Sequence, residues 1–178
     1  MKPEEGGAGI YLIYYTGDFS AYRAIAAANR GGQFAQPIYV GKAVPAGSRK
    51  GGRGLDTPHG DALHKRLGEH AKSIQAVKNL ALSDFKCRWL VVDEVFIHLG
   101  ETMLISHFKP IWNLTVDGFG NHQPGSGRAK GKKPMWDVIH PGREWAESLT
   151  ADVSVKEVFE VIKGHLAAIP VPPGELDA

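Results

Sequence analysis

Apolar positions along the chain follow two periods that take turns. Residues 10–15, Ile-Tyr-Leu-Ile-Tyr-Tyr, follow a glycine and predict a strand. Alternation puts Tyr11, Ile13 and Tyr15 on one face and Ile10, Leu12 and Tyr14 on the other. An Ala-rich stretch to Arg30 predicts a short helix, capped by Asp18 or Ser20 and stopped by Gly31-Gly32. Residues 37–42, Pro-Ile-Tyr-Val-Gly-Lys, predict a second strand, and residues 43–60 a long loop rich in Gly, Pro, Ser, Arg and Lys. From Asp61 to about Leu80 the period becomes helical, with Leu63, Leu67, Ile74 and Val77 as the apolar stripe. Residues 85–93 predict a third strand, and residues 94–108 a hydrophobic helix that stops before Pro110. A Gly-rich basic loop is expected over 117–134. Ser154 and Glu157 form a capping box for a last helix to about Ala168, with Val155, Val158, Phe159, Ile162 and Leu166 on one face. This order predicts an α+β domain spanning 1–178: a small central mixed or antiparallel three-stranded sheet flanked by helices, with an added C-terminal helix.

Composition agrees with one packed domain. At 178 residues, 43% hydrophobic and 22% charged, the chain can bury a core and is not mainly disordered. No apolar run approaches the roughly 18 residues of a membrane span. The acidic, Gly-rich start does not read as a signal peptide. The single cysteine, Cys87, forms no internal disulfide and suits a reducing compartment, so a cytoplasmic location is expected. Inside a strand, Cys87 reads as core rather than nucleophile.

Net charge is only +2, but its distribution is uneven. Residues 42–88 carry ten Lys or Arg against four Asp or Glu, and residues 120–143 carry five against one. Residues 89–119 come to −3 and residues 144–178 to −5. Two basic blocks are the footprint a polyanion partner needs, although solvated faces give the same pattern.

No phosphate-binding Gly-x-x-x-x-Gly-Lys-Ser/Thr loop, Gly-x-Ser-x-Gly elbow or His-Glu-x-x-His pair is present. Other residues carry candidate chemistry. Tyr11 and Tyr39 sit in strands, where tyrosine also serves as half-buried packing. Arg66 and His70 lie four apart on one helix face and can act on one small target, or simply face solvent. Arg can grip a phosphate with paired hydrogen bonds, and His exchanges protons near neutral pH. Glu101 has Ile97, His98, Leu104 and Ile105 as its helical neighbours, a costly setting for a carboxylate without a partner or a metal. Asn113, just beyond that helix, can orient a nearby group.

The ordered set Gly9-Ile10-Tyr11, Tyr39-Val40-Gly41, Arg66 with His70, Glu101 and Asn113 resembles the GIY-YIG nuclease family over residues 9–113. The second half-motif reads Tyr-Val-Gly. Lack of a second module, a helix-sized insertion between the half-motifs and the Arg-x-x-x-His pair are most similar to the type II restriction endonucleases of the family, a subgroup with CCGCGG-cutting members. The resemblance implies a GIY-YIG fold with its core at 9–113, and a DNA-contacting loop and C-terminal helix at 114–178. It implies that Glu101 holds one Mg²⁺, for which Mn²⁺ can substitute, at the scissile phosphate. It implies Tyr11 as proton acceptor from the attacking water, aided by a cation or by His70, because a free phenol of pKa near 10 is a weak base. Arg66 would bind the phosphate, Tyr39 would orient water or phosphate, and Asn113 would position its neighbours.

DNA contacts are expected from Lys42, Arg49, Lys50, Arg53, Asn121, Gln123, Arg128, Lys130, Lys132, Lys133 and Arg143. The implied partners are double-stranded DNA, a second copy in a homodimer, and a cognate methyltransferase that acts on the same site without stable binding. Two other readings stay open. A structure-selective nuclease of repair or mobile elements would ignore palindromes. A non-catalytic DNA-binding module would be expected to lose Glu101 or Arg66, and both are present.

Overall fold

The computed structural model describes residues 7–44, 60–121 and 131–169. Three strands, β1 (Gly9–Tyr15), β2 (Tyr39–Ala43) and β3 (Phe85–Val91), form one antiparallel sheet in the order β2-β1-β3. Of the two expected sheet types, it is the antiparallel one. The central strand has apolar side chains on both faces because helices cover both. Tyr11, Ile13 and Tyr15 enter the main core with Leu63, Leu67 and Ile74 of α2 (Ala62–Ala76). Ile10 enters a smaller core with Val40 and with Ile97 of α3 (Glu94–Phe108). Alternation along β1 therefore sorts its residues between two helices as the sequence predicts.

Several boundaries differ from the sequence pattern, each for a local reason. The first helix divides into a 3₁₀ turn at Ser20–Tyr22 and α1 (Arg23–Ala28), and neither expected cap bonds the backbone through its side chain. Asn29 closes it, donating to Tyr15 O and Gln36 O while accepting from Gln36 N. Helix α2 stops at Ala76, short of Leu80, where the chain turns extended at Val77. Lys78 N then donates to Pro141 O, tying this end to the C-terminal segment. Helix α3 keeps its predicted bounds and ends on Lys109, which takes a left-handed conformation.

Beyond α3 lie three helices the periodicity did not show: α4 (Ile111–Leu114), α5 (Met135–Ile139) and α6 (Glu144–Glu147). The last helix, α7 (Val155–Ala168), starts on the expected capping box, with Val158 and Ile162 buried and Val155 exposed instead of packed. Cys87 is half-buried at the edge of the main core, where burial pushes its thiol up to about 12. No helix among the described residues is long and apolar enough to cross a membrane.

Candidate active site

The β2 edge of the sheet gathers five of the six candidate catalytic residues from both faces and fixes its own position with the sixth. On the α2 side, Tyr11 is fully buried, and its hydroxyl shares a 2.7 Å hydrogen bond with His70 Nε2. Arg66 lies one turn earlier on α2. The Tyr39 ring stands 6.3 Å from that of Tyr11 and 5.2 Å from that of His70.

The motif glycines have a steric cause. A Cβ at Gly41 would come 2.3 Å from the Tyr11 hydroxyl oxygen, and a Cβ at Gly9 would come 2.0 Å from the Leu90 carbonyl oxygen. Gly41 lets the Tyr11 ring lie flat across β2. Gly9 lets β1 and β3 pair at normal distance.

Burial pushes the Tyr11 hydroxyl well above the usual phenol range, and the neighbouring Tyr39 adds to the rise. Arg66 pulls the other way through its charge and a hydrogen bond. Tyr39 is raised by burial as well, again opposed by Arg66. Neither phenol is a standing base, and Arg66 is the group that eases proton loss from both. Arg66 is held in turn by Glu69 at 2.8 Å and by Gly120 O at 3.3 Å.

On the α3 side of the same edge, Glu101 pairs with Lys42, whose side chain leaves β2 next to Gly41. The Glu101 side chain is 18% exposed, so it reaches solvent from an otherwise apolar helix face. The pairing answers the cost that the sequence raises for a carboxylate at this position. The side-chain hydrogen bonds of Asn113 go to backbone and not to the other candidate residues. Its Oδ1 accepts from Val40 N and its Nδ2 donates to Val40 O, both at 2.8 Å. It thus fixes the outer edge of β2 between Tyr39 and Gly41.

One expectation fails. Arg143 cannot read bases, because it is 4% exposed and bonded at every guanidinium nitrogen. Its Nε donates to Asp137 Oδ1 at 2.6 Å and its Nη2 pairs with Asp137 Oδ2. The remaining bonds go to the carbonyls of Gly118, Phe119 and Asn121. The rings of Trp136 and Trp145 flank it at 4.5 and 4.7 Å. Arg143 therefore builds the 118–121 turn from inside. That turn matters to the site, since Phe119 stacks on His70 at 4.5 Å and Gly120 O receives Arg66. Sequence reading missed Phe119 and Glu69. The Gly-Phe-Gly run at 118–120 was the available signal.

Among the other basic candidates, Lys132 is exposed and paired with Asp152, and Lys133 is half-buried. Asn121 is exposed and lines an open cleft of about 780 Å³ with Glu69 and Lys72. Arg49, Lys50, Arg53, Gln123, Arg128 and Lys130 lie outside the described residues.

Among the described residues no three His, Cys, Asp or Glu side chains converge as a protein cage for a metal. A lone, partly exposed carboxylate still suits Mg²⁺, which keeps several waters and is commonly held by one or two carboxylates plus substrate phosphate. Glu101 fits that donor set.

The chain matches the family model for the Eco29kI GIY-YIG domain over residues 4–166. No curated protein matches it. With most of its length covered, the chain belongs to this family of GIY-YIG restriction endonucleases.

Proposed function

We propose that the protein is a type II restriction endonuclease that makes site-specific double-strand cuts in DNA by Mg²⁺-dependent hydrolysis, with Mn²⁺ able to substitute. The observation that carries this is the convergence at one strand edge of a buried phenol on an imidazole, a guanidinium beside that phenol, and a carboxylate facing out of α3. Family membership supports the DNA endonuclease activity.

In this reading Glu101 would hold a Mg²⁺, which when bound would supply positive charge against the scissile phosphate and the departing 3′ oxygen. Tyr11 takes a proton from the attacking water at its hydroxyl oxygen while its own proton passes to His70 Nε2. This relay avoids a free buried phenolate, which desolvation disfavours. Arg66 grips the phosphate and stabilises charge as it develops. Tyr39 orients the water or phosphate, and Asn113 holds β2 so that both tyrosines keep their places. Lys42 neutralises a DNA phosphate once it leaves Glu101.

We assign a palindromic, G/C-rich site such as CCGCGG, with loop arginines gripping guanines. A palindrome calls for two copies related by a two-fold axis, one catalytic set per strand. A methyltransferase of the same specificity would protect the host DNA without stable binding, and the site of action would be the cytoplasm. The test is plasmid DNA with Mg²⁺ and sequencing of the cut ends. Discrete fragments with one shared end sequence are expected, whereas random nicking would sink the site-specific reading. Glu101→Ala should lower cleavage by about a thousandfold or more while DNA binding without Mg²⁺ persists. Cleavage surviving this change would remove Glu101 as the metal ligand.

A further inference from the structure

Three of the candidate catalytic side chains converge on one short turn, Gly118-Phe119-Gly120. Gly118 enters it at a φ of +103°, a conformation that favours glycine, and a Cβ there would come 2.2 Å from the Pro134 side chain. Phe119 is 1% exposed, and its ring packs on those of Trp112 at 4.4 Å and Trp136 at 5.4 Å. A Cβ on Gly120 would lie 3.2 Å from Arg66 Nη2, 3.2 Å from the Tyr39 hydroxyl oxygen and 3.9 Å from His70 Cε1. One point of this turn is therefore within contact distance of all three side chains. The turn is itself fixed from the core by Arg143, which donates to the carbonyls of Gly118 and Phe119.

We propose that this turn positions the proton relay, with Phe119 as the positioning residue of His70; the assignment rests on the nuclease reading above. The Phe119 ring lies nearly parallel to the His70 imidazole, 4.5 Å away at 13°, whereas the Tyr11 and Tyr39 rings meet the same imidazole at 54° and 66°. The Nε2 lone pair lies in the imidazole plane, so the orientation of that plane decides whether it points at the Tyr11 hydroxyl. Rotation of the imidazole about its Cβ–Cγ bond drives its edge into the phenyl face. The phenyl has little room to give way, since two buried tryptophans pack against it. A flat ring imposes this restraint and an aliphatic side chain does not, which separates the role from filling the core. At Gly120 the carbonyl accepts from Arg66 Nη2 at 3.3 Å, and the missing side chain leaves Arg66 and Tyr39 their places.

The experiment compares Phe119→Leu with Phe85→Leu. Phe85 is buried in the same core, and its ring contacts go to Tyr15 and Trp112. Two quantities are read: single-turnover cleavage of plasmid DNA under saturating enzyme, and the ¹⁵N NMR signals of the His70 imidazole without DNA, assigned by their loss in His70→Gln. Phe119→Leu should slow cleavage by about 100-fold, the usual effect of displacing a reacting group by about 1 Å. It should also shift the His70 Nε2 signal as the bond to Tyr11 loosens. Phe85→Leu should leave both at wild-type values despite a comparable loss of stability in urea. Gly120→Ala is the second variant in case Phe119→Leu does not fold. Its methyl group presses on Arg66 and Tyr39, so cleavage should fall by about 10-fold while DNA binding without metal is retained. A wild-type rate in the folded variant, a slower Phe119→Leu with His70 signals unchanged, or a Phe85→Leu that matches it in both readouts overturns the assignment. A wild type that cuts no DNA while its His70 signals depend on Phe119 would count against the nuclease reading alone.

Discussion

The protein contains two buried tyrosine–histidine pairs of nearly the same make-up. Tyr11 and His70 meet at 2.7 Å, and Tyr22 and His140 meet at 2.9 Å, within one continuous core. Both phenols are pushed up by burial. Their surroundings differ. The Tyr22 hydroxyl also accepts from Trp112 Nε1 at 2.9 Å, and His140 Nδ1 meets Asn79 Oδ1 at 3.0 Å. All four residues are buried alike; the Tyr22 pair is closed in that each of its polar atoms faces a core partner. The Tyr11 pair instead has Arg66 beside its hydroxyl, Glu101 near enough to act on it through charge, and a second phenol at its rim. The Tyr22 pair is thus tied to core partners alone, whereas the Tyr11 pair has a cation and a carboxylate beside it, which is what the proposed proton relay requires.

The sharpest way to break this contrast is to remove the two hydroxyls in parallel. Tyr11→Phe should reduce DNA cleavage by about 10²- to 10⁴-fold, the usual worth of a positioned base. Its loss of stability in urea denaturation should be no greater than that of Tyr22→Phe. Single-turnover cleavage under saturating enzyme reads the first quantity. If Tyr11→Phe cuts at the wild-type rate, the relay is wrong and the two pairs are equivalent.

A second substitution moves the relay without removing any of its atoms. In Gly41→Ala the new methyl group would sit 2.3 Å from the Tyr11 hydroxyl oxygen and 2.5 Å from the ring carbon that bears it. The ring must shift. A displacement of about 1 Å at a reacting group commonly costs about 100-fold in rate. Cleavage should fall by about that factor while DNA binding without metal is retained. A normal rate in Gly41→Ala would mean that the Tyr11 ring position is not critical.

Tyr22→Phe is the complementary change. It leaves Trp112 Nε1 and His140 Nε2 without their partner inside the core, at about 1–3 kcal/mol for each unpaired group. Stability should drop by about 2–6 kcal/mol, read from urea midpoints, with the single-turnover rate unchanged where the protein is folded. A rate loss as large as that of Tyr11→Phe would show that the closed pair also serves catalysis.

What the sequence disclosed and what it hid divide along the same line. Tyr11, Tyr39, Arg66, His70 and Glu101 were legible because strand alternation and helical spacing place them, and because their order along the chain resembles a known set. The three strands, α2, α3 and α7 were legible because they are long enough to repeat their period. Helices α4, α5 and α6 run four or five residues, little more than one turn, so no periodicity develops in them. Arg143 looked like a loop cation because its partner, Asp137, is six residues away on a short helix, and its burial depends on tertiary packing by two tryptophans. His140 drew no notice for a related reason. The contacts that make it a core residue come from Tyr22 and Asn79, 118 and 61 positions away.

The smallest effect tests the closed pair by pH. Burial, aided by the charge of Arg143, lowers the His140 imidazole from 6.5 to about 3. In the unfolded chain it returns to its ordinary value, so below about pH 6.5 the unfolded state binds a proton that the folded state refuses. The stability His140 contributes is therefore complete above that pH and is lost progressively as pH falls toward 3. Between about pH 7 and pH 5.5 the loss from this group alone is about 1 kcal/mol. Urea midpoints taken at the two pH values should show it, and His140→Gln should remove it, since an amide keeps a polar partner for Tyr22 but takes up no proton. An equal pH slope in wild type and variant would mean that His140 is not held neutral in the core.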